Sequence, residues 1–144
     1  MSITRNSYKS LKCDFSNSNV SIETSLKPQY TISMTHEMKL AKEPFTKIAS
    51  GEKVIESRLF DEKRKLLNIG DEIVFRDNEG QEKPVNTKII ALYRYATFES
   101  MFSDFPASYF GGESKEFLLN QIHQFYSEEQ EKEFGVIGVK IAKI

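Results

Sequence analysis

The sequence has almost none of the residues from which disulfides and soft-metal sites are built. Cys13 is its one cysteine, and His36 and His123 are its two histidines, among 144 residues. An intrachain disulfide is therefore impossible, a reducing compartment is the simplest setting, and no His/Cys spacing matches a zinc site. Nor is there an excess of either charge. A formal net charge of −1 excludes the global attraction by which basic proteins hold a duplex, so any nucleic-acid contact must come from a local patch. Long hydrophobic runs are missing too. No segment is apolar over the roughly 20 residues that a membrane-spanning helix needs, and the N-terminus has no run resembling a signal peptide. The expectation is a cytoplasmic protein without a membrane partner, and nothing calls for a metal or a cofactor.

What is present suits a globular domain. The 39% hydrophobic and 28% charged content supports one domain with a core large enough to fold without staples. Residues 1–33 differ from the rest: Ser and Asn recur among scattered Leu, Val, Ile and Phe, too few to bury much surface. They read as a polar N-terminal extension, partly flexible, with a hairpin possible through Val20-Ser21-Ile22 and Tyr30-Thr31-Ile32. The compact domain is expected over 34–144.

Within it, Met38 and Leu40 alternate with polar neighbours as a first strand. Pro44 opens and Gly51 ends a short helix over Phe45 to Ser50. A strand from Lys53 to Phe60 follows, and Asp61 caps a helical turn reaching Leu67. Glu72 to Arg76 is a further strand with Ile73 and Phe75 on one face. Val85 to Tyr95 is the longest, with Val85, Thr87, Ile89, Ala91, Tyr93 and Tyr95 on one face and Lys88, Ile90, Leu92 and Arg94 on the other. Thr97 caps a helix carrying Phe98, Met101 and Phe102, and Ser127-x-x-Gln130 is a capping box for another that Gly135 closes. Val136 to Ile144 is the last strand. Short strands joined by turns and small helices predict an α+β fold, a small mixed β-barrel with short helices over its openings. Closing the sheet with the C-terminal strand would leave few free edges.

The most informative stretch is Gly51 to Leu59, with Asp61, Lys63 and Arg64 behind it. Strand alternation puts Glu56 and Arg58 on one face and Ile55 and Leu59 on the other. Lys53, Arg58, Lys63 and Arg64 surround the Glu56 carboxylate in sequence, a set that suits a small anionic or polar ligand.

The order His36-x-Met38-x-Leu40, Pro44-Phe45-x-x-Ile48-x-x-Gly51-x-Lys53-x-x-Glu56-x-Arg58-Leu59-x-Asp61-x-Lys63-Arg64 and Gly70-Asp71-x-Ile73-x-Phe75 resembles the ASCH (activating signal cointegrator homology) domain of the PUA-like superfamily. Tyr93-Arg94-Tyr95-x-x-Phe98-Glu99-x-Met101 and Tyr126-Ser127-x-Glu129-x-Glu131 are similar to its small single-domain bacterial members. The resemblance covers about 34–144. It implies a β-barrel with helices over its openings, a cleft at Gly51 to Arg58, and binding of RNA or nucleotide-like ligands. Some relatives of this type hydrolyse acylated nucleosides, and others are linked to RNA cleavage. In the nucleoside-hydrolase branch a lysine works with a threonine three residues on and a distant glutamate. Lys53 matches that lysine, whereas Glu56 stands in the threonine's place, a departure from the branch.

Two functions follow as expectations. One is a small module that binds single-stranded RNA or a nucleotide through Lys53, Glu56, Arg58, Lys63 and Arg64, with Tyr93 and Tyr95 as stacking candidates. The other is a hydrolase of a modified nucleoside or of RNA, with Lys53 and Glu56 at the reacting centre. Bland readings stand beside each. Lys53, Lys63 and Arg64 suit a solvated surface, Glu56 and Arg58 a structural ion pair, and the tyrosines a core. Tyr126 either hydrogen-bonds across the cleft or caps the domain edge.

Overall fold

Strand patterns of period two and capped helices of period 3.6 assemble, in a computed structural model that describes residues 32–144, into one curled sheet with helices on both faces. The hairpin expected through Val20-Ser21-Ile22 and Tyr30-Thr31-Ile32 lies, apart from Ile32, outside the described residues. Residues Ser33–Ile144 form one compact unit. Its elements are β1 (Thr35–Leu40), α1 (Lys42–Ser50), β2 (Ile55–Leu59), a 3-10 turn (Arg64–Leu66), β3 (Glu72–Asp77), β4 (Val85–Tyr95), α2 (Phe98–Asp104), a second 3-10 turn (Ala107–Phe110), α3 (Lys115–Ile122), α4 (Glu128–Phe134) and β5 (Val136–Lys143). No helix of the described residues is long and apolar enough to cross a membrane.

The strands run in the order β1-β3-β4-β5-β2. β1 and β3 are parallel, and the other neighbours are antiparallel. The C-terminal strand thus sits inside the sheet, between β4 and β2, and among the described residues β1 and β2 are its edges. The sheet curls until those edges approach: the Arg58 guanidinium of β2 donates to the Lys39 carbonyl of β1 at 3.3 Å. The result is a half-barrel of mixed α+β class, as expected.

Two cores follow from the curl. The inner face packs Met38, Ile73, Phe75, Ile89, Val139 and Ile141 with Phe45 and Ile48 of α1. The outer face packs Ile55, Leu59 and Val136 against Phe98, Met101 and Phe102 of α2, and against Phe110 and Leu118.

The expected caps form. Thr97 accepts from the Ser100 amide at the start of α2, and Ser127 and Gln130 make the reciprocal capping box of α4. Helix α1 starts earlier than expected, at Lys42. Pro44 is its third residue, which costs nothing because the amides of a first helical turn have no partner inside the helix. Gly51 ends it at φ 88°, a left-handed conformation that glycine adopts without strain.

One face assignment needs correction. The β4–β5 register slips between Ile89 and Ala91, leaving Ile90 as the extra residue of a bulge. Thr87 and Ile89 therefore share the inner face with Leu92 and Arg94, while Ala91, Tyr93 and Tyr95 turn outward toward α2.

Candidate functional site

The site begins where α1 stops. The Lys53 amide donates to the Lys47 carbonyl at 3.0 Å and the Val54 amide to the Tyr109 carbonyl at 2.8 Å. These bonds delay the strand until Ile55 and hold Lys53 beside the second 3-10 turn. Glu56 then points between two cations. Its Oε1 lies 2.8 Å from Lys53 Nζ, and its Oε2 accepts from Arg58 Nε at 2.7 Å. Each carboxylate oxygen thus faces its own cation.

Glu56 is 3% exposed. Burial pushes its pKa up, but Lys53 and Arg58 outweigh that and hold it at about 2 instead of the ordinary 4.5. At Arg58 burial works against the charge, and the neighbouring Glu56, with Tyr126, more than offsets it, so the guanidinium is raised above its ordinary value. At neutral pH this is a cation–carboxylate–cation group. Glu56 in this state is a weak base, because a carboxylate with so acidic a conjugate acid takes up protons weakly.

The group lies on the wall of a cavity of about 220 Å³. Lys39, Ser57, Asn78 and Gln121 add polar groups to it. Phe102, Phe110, Leu118, Ile122, Phe125 and Tyr126 make the facing apolar wall. Phe125 is 70% exposed, and Tyr126 is stacked on Phe98 with centroids 5.8 Å apart.

Of the residues singled out from sequence, Lys53, Glu56 and Arg58 meet here. Lys63 and Arg64 do not line the cavity. Arg64 is drawn into the first 3-10 turn by Asp61, which accepts from its amide and its guanidinium, both at 3.1 Å. Tyr93 packs on Phe105, centroids 4.8 Å apart. The Tyr95 hydroxyl donates to Asp104 at 2.7 Å, and desolvation together with that carboxylate pushes its pKa up to about 12. The bulge at Ile90 accounts for both tyrosines, since it turns them to the α2 side. Tyr126 does reach the cavity.

Lys39, Phe110, Gln121 and Phe125 were not singled out in the sequence, being distant from Glu56 along the chain. Both histidines have carboxylate partners: His36 lies 2.8 Å from Asp71, and His123 lies 2.9 Å from Glu131. Among the described residues no group of His, Cys, Asp and Glu could hold a metal ion.

The ASCH domain matches residues 38–144. The crystal structure of the hypothetical protein PH0355 is similar at 34% identity and a TM-score of 0.68, over 77% of this chain and 100% of that one. The solution structure of protein PF0455 from Pyrococcus furiosus is similar at 30% identity and a TM-score of 0.60, over 77% of this chain and 98% of that one. Protein EF3133 from Enterococcus faecalis V583 shares the fold at 13% identity and a TM-score of 0.55, over 82% of this chain and 85% of that one. No curated protein matches. With the match covering β2 to β5, the end of β1 and every cavity-lining residue, this chain belongs to the ASCH domain family.

Proposed function

We propose that residues 34–144 form a module that binds single-stranded RNA or a nucleotide-like ligand, with residues 1–33 as an extension to it. The family is generally proposed to bind RNA. The observation that carries the reading here is the Lys53–Glu56–Arg58 group on a cavity wall that faces aromatic side chains. Lys39, Lys53 and Arg58 set three cations against one carboxylate in the lining, which favours a ligand bearing negative charge or carbonyl oxygens. Phe125 and Tyr126 offer flat faces to a base. The volume, about 220 Å³, is below the roughly 300–1,000 Å³ typical of drug-sized sites and suits a single base or nucleoside unit.

Lys53→Ala and Arg58→Ala are the test, with folding checked by circular dichroism. Each is expected to weaken binding of a short single-stranded RNA by about tenfold or more, since each removes a charge-assisted contact. A dependence on salt with a log–log slope of about −1 to −2 is expected for two phosphate contacts to a single strand. Unchanged binding in both variants refutes the reading.

A second reading, hydrolysis of a modified nucleoside or of RNA, draws on the 2.8 Å approach of Lys53 to Glu56 inside the cavity. The low pKa of Glu56 weighs against it as the base. A panel of acylated nucleosides and RNAs decides between the two: turnover that collapses in Glu56→Gln while binding survives favours the enzyme.

A further inference from the structure

Ser57 lines the cavity between Glu56 and Arg58, and its main chain adds polar groups to those of the side chains. In an antiparallel ladder, opposed residues alternate between pairs that exchange both main-chain hydrogen bonds and pairs that exchange none. The phase of that alternation in β2 is fixed beyond both its ends. The Ile141 amide donates to the Val54 carbonyl at 2.9 Å, and the Phe60 amide to the Gly135 carbonyl at 2.9 Å. Glu56 opposite Val139 and Arg58 opposite Ile137 continue the series. The Val54 carbonyl, the Phe60 amide and the main chains of Glu56 and Arg58 therefore turn toward β5, and Ser57 turns both its amide and its carbonyl away from it.

Among the described residues no strand pairs with β2 on that other side, because β2 ends the sheet. The cavity does. Glu56, Ser57 and Arg58 all line it, although side chains in a strand alternate between faces. Three consecutive residues share one cavity only when it meets the strand edge-on. Ser57 is 9% exposed, and its amide and carbonyl, facing away from β5, have no ladder partner among the described residues. Main-chain groups at that depth are rarely left without a hydrogen-bond partner.

We infer that the Ser57 amide and carbonyl form a donor–acceptor pair that reads the pairing edge of an unpaired nucleobase. The inference rests on the RNA-binding reading above and names what that site recognises. An N–H and a C=O of one residue, facing the same way, are what a residue of a partner strand would meet with its own C=O and N–H. Each RNA base carries an adjacent donor and acceptor on its Watson–Crick edge and can meet the pair in the same manner. A base already in a duplex has used those groups. The site thus selects single strands over duplex, with no need to choose among the four bases. Lys53 and Arg58 beside it take the phosphate or a carbonyl, and the aromatic wall covers the base plane.

The test uses the full chain, labelled with 15N, hexauridylate and its N3-methylated counterpart, which lacks the ring donor. Hexauridylate is expected to shift the Ser57 amide resonance and slow its exchange with solvent, and the methylated oligomer to bind at least about tenfold more weakly. Ser57→Pro deletes the amide at an edge position where the ladder does not use it. It is expected to lose hexauridylate binding while the β4 and β5 resonances stay in place. Should that variant fail to fold, the comparison of the two oligomers decides. Equal binding of the oligomers, or tight binding that leaves the Ser57 amide unmoved, overturns the inference and leaves the RNA-binding module standing. Binding of neither overturns both.

Discussion

Glu56→Gln removes the charge at the centre of the Lys53–Glu56–Arg58 group and keeps its shape. The carboxylate is 3% exposed, so its interactions escape the screening that makes surface pairs weak. Its pKa stands at about 2 against an ordinary 4.5. At about 1.4 kcal/mol for each tenfold change in proton affinity, that difference is worth about 3 kcal/mol of folding stability. The cost of leaving one side of a buried ion pair without its counter-charge, about 3–5 kcal/mol, reaches the same range. The lower end applies, because the Lys53 and Arg58 side chains keep 12% and 14% of their exposure.

In urea, with a slope of about 2 kcal/mol per molar, the midpoint of Glu56→Gln is expected about 1.5 M below wild type at pH 7. The sign of the pH dependence follows from the direction of the shift. A pKa lowered by folding gives stability that is complete above the unfolded value and lost as pH falls through the folded one. The gap between wild type and variant should therefore be full at pH 7 and narrow from about pH 4.5 down to about 2. Taking the difference removes the titration of every other carboxylate common to both proteins. A gap that is absent at neutral pH, or that holds constant through the acid range, refutes the account of Glu56 as a carboxylate stabilised by Lys53 and Arg58.

Two more predictions concern the frame around the site. Asp71 is 3% exposed and accepts from the Met34 amide at 3.1 Å and the Asn68 amide at 3.1 Å, with His36 at 2.8 Å. Asp71→Ala strands those donors and should cost about 2–4 kcal/mol in a urea titration, with faster hydrogen exchange at Met34 and Asn68. At Gly138 an added Cβ would sit 2.8 Å from Met101 Sδ and 3.1 Å from Ile55 Cγ2. Gly138→Ala should destabilise by about 1–2 kcal/mol, read as a lowered thermal midpoint, because the end of the Met101 side chain can yield only in part.

Much of the fold was legible because its signals are local. Thr97 caps α2 through one amide, and Ser127 with Gln130 caps α4 within four residues, so sequence spacing suffices to find them. The bulge in β4 has no such mark. Ile90 is β-branched and fits an ordinary strand as well as a bulge, and only the register against β5 reveals it. That one extra residue sends Tyr93 and Tyr95 away from the expected cleft and into the α2 core. The site divides in the same way. Lys53, Glu56 and Arg58 are close in sequence and meet in space, whereas Lys39, Phe110 and Phe125 reach the cavity only through the curl of the sheet and the packing of α3. Lys63 and Arg64 show the converse. They are near in sequence, yet the Asp61 carboxylate folds Arg64 back into its own turn.

The seam between β1 and β2 is where local and global preferences part. A half-barrel whose edges approach this closely would lower its free energy by pairing them, with apolar side chains on either face. Instead one 3.3 Å bond from Arg58 to the Lys39 carbonyl crosses the gap. Behind it lies a buried carboxylate between two cations, an arrangement that apolar residues of similar volume often equal or better for stability. Among the described residues the main chain of Ser57 has no strand beside it on that side. Neither feature serves the inner or outer core, both of which close without them. When every other level of a sequence agrees with its fold, a concentrated disagreement of this kind is what the proposed ligand site would leave. On the proposed reading a base would meet three things at this seam: the outward edge of Ser57, the positive charge of Lys53 and Arg58 beside it, and the aromatic side chains of the cavity lining.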